Sequence, residues 1–400
     1  MPDERSVMQS NRRQDLVSVP IVWLMLMLVL GSLPAAAQPY QGFGASTPGG
    51  AGQPVYRVTT LNDAGPGSLR DAVSQGRRSI VFDVAGDIVL SNDIAVRGPF
   101  LTIDGLTAPP PGITLKNHGL ILLGSRGPVH DIIVRGLRIR NSRGCDHGCP
   151  TLGGGVLVGQ GAYNVVIDRV SIQGSENFTV SVNKGARDVT IQDSIMAENQ
   201  GKVQLLALIH GGGRSSRGER TQHVTMHHNL FIEGSERMPQ VKWSETGEES
   251  PDTVLDFRNN LIWNWRNAGT QVWKGAKANV VANYYYAPNA WEARQRRAIF
   301  FCHAGSKPPQ CRGDRPTLFA RAYIADNVSG AGPAITGYLN SLGTESAPFP
   351  APPVQTTDAC TAARHVLEKA GVRPLDAIDQ KYLGEISLVG CDQRSPSSHR

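Results

Sequence analysis

The chain has 400 residues, with 40 Lys and Arg against 34 Asp and Glu and a net charge of +6, and its sequence pI is near 9.0. A basic surface of this kind draws polyanions, yet no stretch interleaves aromatic and basic residues as nucleic-acid recognition requires, which sets nucleic acid aside as a partner. Scarce helical periodicity, 44 glycines and turn pairs such as Pro111-Gly112 exclude an all-helical protein and point to a β-rich chain with many corners.

At the N-terminus Arg5, Arg12 and Arg13 precede an uncharged apolar run, Val17 to Leu33, and then Ala35, Ala36 and Ala37. That is the order of a secretory signal peptide. The expectation is a leader over 1–37 and an exported chain, extracellular or periplasmic, with no stable membrane insertion once the leader is removed. A retained anchor is the alternative, because the run is just long enough to span a bilayer.

From there a strand-sized phrase keeps returning: SIVFDVAG (79–86), LTIDGLTA (101–108), IIVRGLRI (132–139), VVIDRVSI (165–172), VTIQDSIM (189–196), VTMHHNLF (224–231), VLDFRNNLI (254–262) and VVANYYY (280–286). Each copy alternates apolar and polar residues and ends on a polar turn, the mark of a solenoid rung. A single rung cannot bury its inner face, so rungs stack into a continuous core with a long external groove. Asn229, Asn260 and Asn283 fall at one phase near the strand ends and are placed to share amide hydrogen bonds along the coil axis.

Six cysteines in an exported chain imply three disulfides, with Cys145–Cys149, Cys302–Cys311 and Cys360–Cys391 as the economical pairs. A metal site at Cys145-Asp146-His147-Gly148-Cys149 is the weaker reading, since so many donors in five residues strain tetrahedral geometry. His210, followed by Gly211, Gly212, Gly213 and Arg214, reads as a glycine corner able to approach a sugar through its backbone. Trp243, Trp263, Trp265 and Trp273 cluster in the second half, where indoles serve either sugar stacking or packing.

The rungs run on without a Pro/Ser-rich break until about Ser341, so residues 38–340 read as one domain and 341–400 as a Pro-rich arm and a terminal helix. Thr357 to Ala370 has helical periodicity, with Thr357 or Asp358 as cap, Ala362, Val366 and Ala370 along one face, and Gly371 as the stop.

Several phrases together resemble a family. YQGFGASTPGG (40–50), VYRVTTLNDAGPGSLRDAV (55–73), IVFDVAGDIVL (80–90), LTIDGLTAPPPGITL (101–115), HHNLFIEGSERMP (227–239) and DFRNNLIWNW (256–265) are similar to the secreted pectate-lyase-like proteins. The resemblance covers nearly the whole mature chain. It implies an all-β right-handed parallel β-helix, with a short N-terminal capping helix and a C-terminal helix packed on the coil.

It also implies β-elimination of a polyuronate such as pectate by a secreted monomer that acts on acidic polysaccharide. Arg237, in ERMPQVK (236–242), matches the arginine of the family's Arg-x-Pro segment, held to be the catalytic base. An arginine in a protein stays protonated, so the residue marks the reaction centre whether it takes a proton or polarises the substrate carboxylate. Lys202 matches a lysine one rung earlier that binds this carboxylate, at about 5 Å along the axis if the rungs stack directly. Lys242 and His210 complete the candidate substrate-binding set.

The resemblance implies Ca²⁺ as well, but the positions aligned with the family's acids carry Gly155, Ser175 and Ser181. That leaves Glu176 as the aligned ligand, where calcium prefers six to eight oxygens. Arg169 stands where the family has His after Asp168, and Gln240 where it often has Arg. Two rival readings remain: a non-catalytic polysaccharide-binding β-helix, and a β-helical glycoside hydrolase, which needs two carboxylates opposed across the bond.

Overall fold

The computed structural model describes residues 40–141, 155–175, 178–198, 205–212, 221–244, 253–288, 297–302 and 319–391. The leader, Cys145, Cys149, Glu176, Lys202, Arg214 and Cys311 lie outside the described residues.

One rung shows how the coil is made. The strand Tyr163–Asp168 bends at Arg169 into Ser171–Gln173, then turns into Phe178–Asn183. A corner at Lys184 and Gly185 returns the chain to Arg187–Gln192, which lies parallel to the first strand with Val165 opposite Val189. Repeating this motion gives three parallel sheets of ten, nine and eight strands among the described residues, a right-handed parallel β-helix as twisted strands with parallel crossovers require. The inward positions Ile132, Val165, Val189 and Val224 stack on one another and are buried, which is why each phrase keeps its β-branched residues at the same phase.

The bend between the first and second sheets recurs in one conformation. Arg169, Asp193, His228, Asn259, Ala282 and Asp326 all sit there with φ between 47° and 58°, the left-handed region that turns the chain without a loop. In the later rungs an asparagine follows this residue, and its carboxamide takes the place of missing backbone partners. Asn229 Nδ2 donates to Asn260 Oδ1 at 3.0 Å, Asn260 Nδ2 to Asn283 Oδ1 at 3.0 Å and Asn283 Nδ2 to Asn327 Oδ1 at 3.0 Å. The ladder read from three asparagines is therefore present, and it continues through Asn327 to Asn340.

Helices close both ends. Helix α1 (Leu69–Ala72) is capped by the Ser68 hydroxyl and puts Leu69, Ala72 and Val73 into the core. The coil ends at Val328–Ser329, and Pro333–Ser341 forms α2, which inserts Leu339 into the core. The sequence periodicity gave no sign of α2. Helix α3 (Ala359–Lys369) starts where expected, with the Asp358 carboxylate accepting from the backbone N–H groups of Cys360 and Thr361. A further helix, α4 (Ala377–Gly384), is capped by Asp376. Cys360 and Cys391 are disulfide-bonded; Cys302 is also in a disulfide, whose partner lies outside the described residues.

The chain's own ends cover two of the three sheets. Along the first, the glycine-rich segment at 40–50 lies flat on the strands: Phe43 N–H donates to Thr225 Oγ1 at 3.1 Å, Gly44 N–H to Thr190 Oγ1 at 2.9 Å and Gly50 N–H to Thr102 Oγ1 at 2.8 Å. A side chain at Gly44 would meet the Val165 carbonyl at 2.5 Å, so only glycine permits this approach. The Pro-rich arm continues the cover. Asn279 exchanges two hydrogen bonds with the backbone of Phe349, and Gln355 N–H donates to Gln41 Oε1 at 2.6 Å, joining the two covers.

The second sheet is covered by α3 and α4: Ala363, Val366 and Tyr382, with Ala370 just past α3, bury Ile195, Leu230, Leu261 and Trp263. Arg140, almost fully buried, pairs with Asp376 and Asp379 at 2.9 Å each. Taking these charges out of water is costly unless they are matched, so the pairing fixes where the terminal segment docks.

Candidate functional site

The third sheet carries His210 and Lys242, two of the side chains that the sequence singles out. Strand pairing sets its outward residues in rows. Asn183 lies opposite His210, His210 opposite Lys242 and Lys242 opposite Trp273. All four are half-buried, with successive members about 4.8 Å apart across the strands. An amide, an imidazole, an ammonium and an indole therefore follow one another along the coil axis. A second row, Ser181, Leu208, Gln240 and Gln271, runs beside it and is buried.

Arg237 stands at the leading edge of this sheet, in the turn before Gln240–Ser244. Its φ of 63° is the left-handed turn conformation that Lys184, Glu233 and Lys274 also adopt. Its Cζ lies 5.6 Å from the Phe178 ring centroid, and its Nε is 3.6 Å from Glu236 Oε1. Lys242 sits five residues on, inside the strand. The sheet thus carries a guanidinium at its edge and an ammonium further along one strand. Lys202, the other expected cation, lies outside the described residues.

His210 is not in a corner. Leu205–Gly212 is a continuous strand, and glycine at 211 is required because a Cβ there would come within 2.0 Å of the Trp243 indole. The four tryptophans divide: Trp243, Trp263 and Trp265 are buried and serve packing, while Trp273 is half-buried and ends the outward row with Lys274 over its ring at 5.1 Å.

The calcium implied by the resemblance was tested against the residues present. A Cβ at Gly155 would meet the carbonyls of Thr179 and Phe178 at 2.2 and 2.3 Å, so no acid has space there. Ser175 is buried and donates to the Phe178 carbonyl at 2.6 Å. The Ser181 hydroxyl accepts from Asn183 at 3.0 Å. Among the described residues no cluster of three His, Cys, Asp or Glu side chains is arranged to hold a metal. These positions do not fit a hard cation that wants carboxylate oxygens.

Sequence reasoning missed Glu236. It is the residue before Arg237 and half-buried, and its Oε2 accepts from Asn267 at 3.2 Å and from Gln271 at 3.4 Å. Gln271 in turn accepts from Gln240. A carboxylate immediately before a candidate catalytic arginine is a signal, but its partners lie on the next rung and only the register shows them.

A second titratable cluster lies away from this face, under α3. His227 Nδ1 is 2.8 Å from His228 Nδ1, the His228 ring is 4.6 Å from that of His365, and His365 Nε2 is 2.9 Å from Asp193 Oδ1. Burial, followed by repulsion from His228, pushes His227 down to about 3. Burial does the same to His228, to about 4. Both rings are therefore neutral at physiological pH.

The fold is a right-handed parallel β-helix, and it is shared with solved pectate-lyase structures. The likeness extends to sequence. Over 245 residues the chain is 34% identical to the probable pectate lyase C of Emericella nidulans, covering 61% of this chain and 51% of that one. It is 36% identical over 249 residues to the protein of that name from Aspergillus flavus, covering 61% and 52% respectively. The chain spans about half the length of these curated relatives. No family model matches it. Among solved structures, a pectate lyase from a Bacillus species in complex with trigalacturonate superposes with a TM-score of 0.56 at 16% identity, covering 83% of this chain and 98% of that one. The cedar pollen allergen Jun a 1 superposes with a TM-score of 0.55 at 17% identity, covering 83% and 92%.

Proposed function

We propose that this chain is a secreted lyase that cleaves pectate or a similar polyuronate by β-elimination on the third sheet. The observation that carries the reading is on the third sheet, where Asn183, His210, Lys242 and Trp273 stand in one row with Arg237 in the turn at its edge. Similarity in sequence to proteins named pectate lyase supports the same reading, as does a net charge of +6.

In the reaction the C5 proton of a uronate passes to a basic nitrogen on this face. The C5–H electrons form the C4–C5 double bond, the C4–O4 bond breaks, and O4 takes a proton from solvent. The C5 proton is weakly acidic while the adjacent carboxylate keeps its full charge, so cations aimed at that carboxylate stabilise the enolate-like transition state. Arg237 takes this role at the reaction centre, with Lys242, His210 and Lys202 holding neighbouring carboxylates.

Incubation of the purified protein with polygalacturonate tests the reading. Ultraviolet absorbance of the unsaturated product and reducing ends should rise together. Reducing ends alone mean hydrolysis, and retention on pectin with neither signal means a binding protein.

A further inference from the structure

We infer that Trp273 is a substrate-binding residue that stacks on a sugar ring of the polyuronate, one rung beyond Lys242; the inference deepens the lyase reading above and rests on it. The register places the indole. Lys242 lies opposite Trp273 and Gln271 opposite Phe300, so Trp273 ends the outward row and Phe300 stands in the second row, on the next rung. Trp243, Trp263 and Trp265 are 4%, 3% and 4% exposed, whereas Trp273 is half-buried and keeps surface in contact with solvent.

The orientation of the ring is set from two sides. Phe300 meets it edge to face with centroids 6.2 Å apart, and Phe300 packs in turn with Ala268 and Cys302. Lys274 Nζ lies 5.1 Å from the centroid of the Trp273 ring. A side chain held this way loses little freedom when a ligand settles on it, the condition under which a contact yields affinity.

The surrounding chemistry selects the ligand. A uronate ring has an apolar C–H face and a carboxylate at its rim, and sites for such molecules pair an aromatic wall with a few placed polar groups. Trp273 supplies the wall. Lys242 is about 4.8 Å away across the strands, Lys274 adjoins the ring, and Arg297 Cζ lies 5.7 Å from the Phe300 centroid. The three strands concerned, Gln240–Ser244, Thr270–Trp273 and Ile299–Phe301, contain no Asp or Glu. An acidic sugar at the indole therefore meets cations and no carboxylate on those strands, while a neutral sugar gains only the stacking.

Arg237 precedes the strand that carries Lys242, so the platform lies one rung from the reaction centre. It acts on bound substrate and transition state alike, and such uniform binding is read in KM and not in kcat.

The test compares wild type with Trp273→Leu, which keeps an apolar side chain against Phe300 and removes the flat face, and with Trp273→Phe, which restores a flat ring. Binding of trigalacturonate is measured by calorimetry and turnover of polygalacturonate by the unsaturated product, with circular dichroism to establish that each protein is folded. In Trp273→Leu the trimer should bind at least about tenfold more weakly and KM should rise by a similar factor, with kcat within about threefold of wild type. Trp273→Phe should recover most of both losses. A second readout needs no disruptive change: the trimer should alter the tryptophan emission of wild type, and in Trp273→Phe that change should vanish.

Trimer affinity in Trp273→Leu within about twofold of wild type overturns the inference. Equal losses in the two variants overturn it too, because they would report packing, as does a fall in kcat with KM unchanged or an emission change of the same size in Trp273→Phe. Absence of trimer binding to the wild type is equally fatal to it. If the wild type binds the trimer and turns over no polyuronate while Trp273→Leu loses the binding, the lyase reading fails and the sugar platform stands.

Discussion

Acidification should loosen this protein through two histidines under α3, and the size of the effect follows from their burial. His227 is 3% exposed and is pushed down to about 3; His228 is pushed down to about 4; an unfolded histidine titrates near 6.5. Because both folded values lie below the unfolded one, the native state keeps the rings neutral while the unfolded state takes up protons. The native state is at its full relative stability above pH 6.5 and loses it as pH falls, until the folded histidines protonate at about 4 and about 3. Between pH 8 and pH 5 the linkage amounts to about 2 kcal/mol per histidine, or about 4 kcal/mol for the pair, a large share of the ~5–15 kcal/mol typical of a folded domain.

Other charges face the cluster. Asp193 pairs with His365 and works in the opposite sense, so the histidine contribution is best isolated by substitution. In His228→Asn, whose side chain tolerates the left-handed backbone at this position, the drop in urea midpoint between pH 8 and pH 5 should shrink by the equivalent of about 2 kcal/mol. Tryptophan fluorescence reports the midpoint. An identical pH dependence in the variant and wild type refutes the reasoning.

The asparagine ladder is structural. Asn260→Ala leaves the Asn229 amide and the Met226 carbonyl without their buried partner, so urea unfolding should show a loss of about 3 kcal/mol. Gly44→Ala drives a methyl into the Val165 carbonyl and should cost about 1–3 kcal/mol, with protease cleavage near residue 44 as a second readout. Cys360→Ser removes a link that closes 31 residues; it should cost about 3–4 kcal/mol and expose α3 to hydrogen exchange before the coil.

The coil and the Asn ladder were readable because they depend on phase alone: the same residue type returns at the same place in each phrase, and stacking does the rest. The bend, by contrast, falls inside each phrase, as at Arg169 between Tyr163–Asp168 and Ser171–Gln173, and not on the polar turn expected at its end. Helix α3 was readable for a local reason, since Asp358 caps it and Gly371 ends it with φ 79°. Helix α2 was not. It has no side-chain cap and carries Gly337 in its interior, so neither end nor face stands out.

The glycine-rich phrase at 40–50 was legible as a motif but not as a cover, because Phe43 finds Thr225 182 residues away. Function hid for the same reason. Arg237 and Lys242 could be named from a motif, whereas Glu236 acquires its meaning from Asn267 and Gln271, 31 and 35 residues on, which only the register brings to it. His210 was placed in a corner because glycines usually mark one; close packing against Trp243 gave them a different reason to be there.

The most direct test of the central claim is turnover of polygalacturonate by wild type and by Arg237→Ala, followed through the unsaturated product, with circular dichroism to establish that both are folded. The account expects product from the wild type and at least about a hundredfold less from the variant. Equal rates from two folded proteins would contradict it.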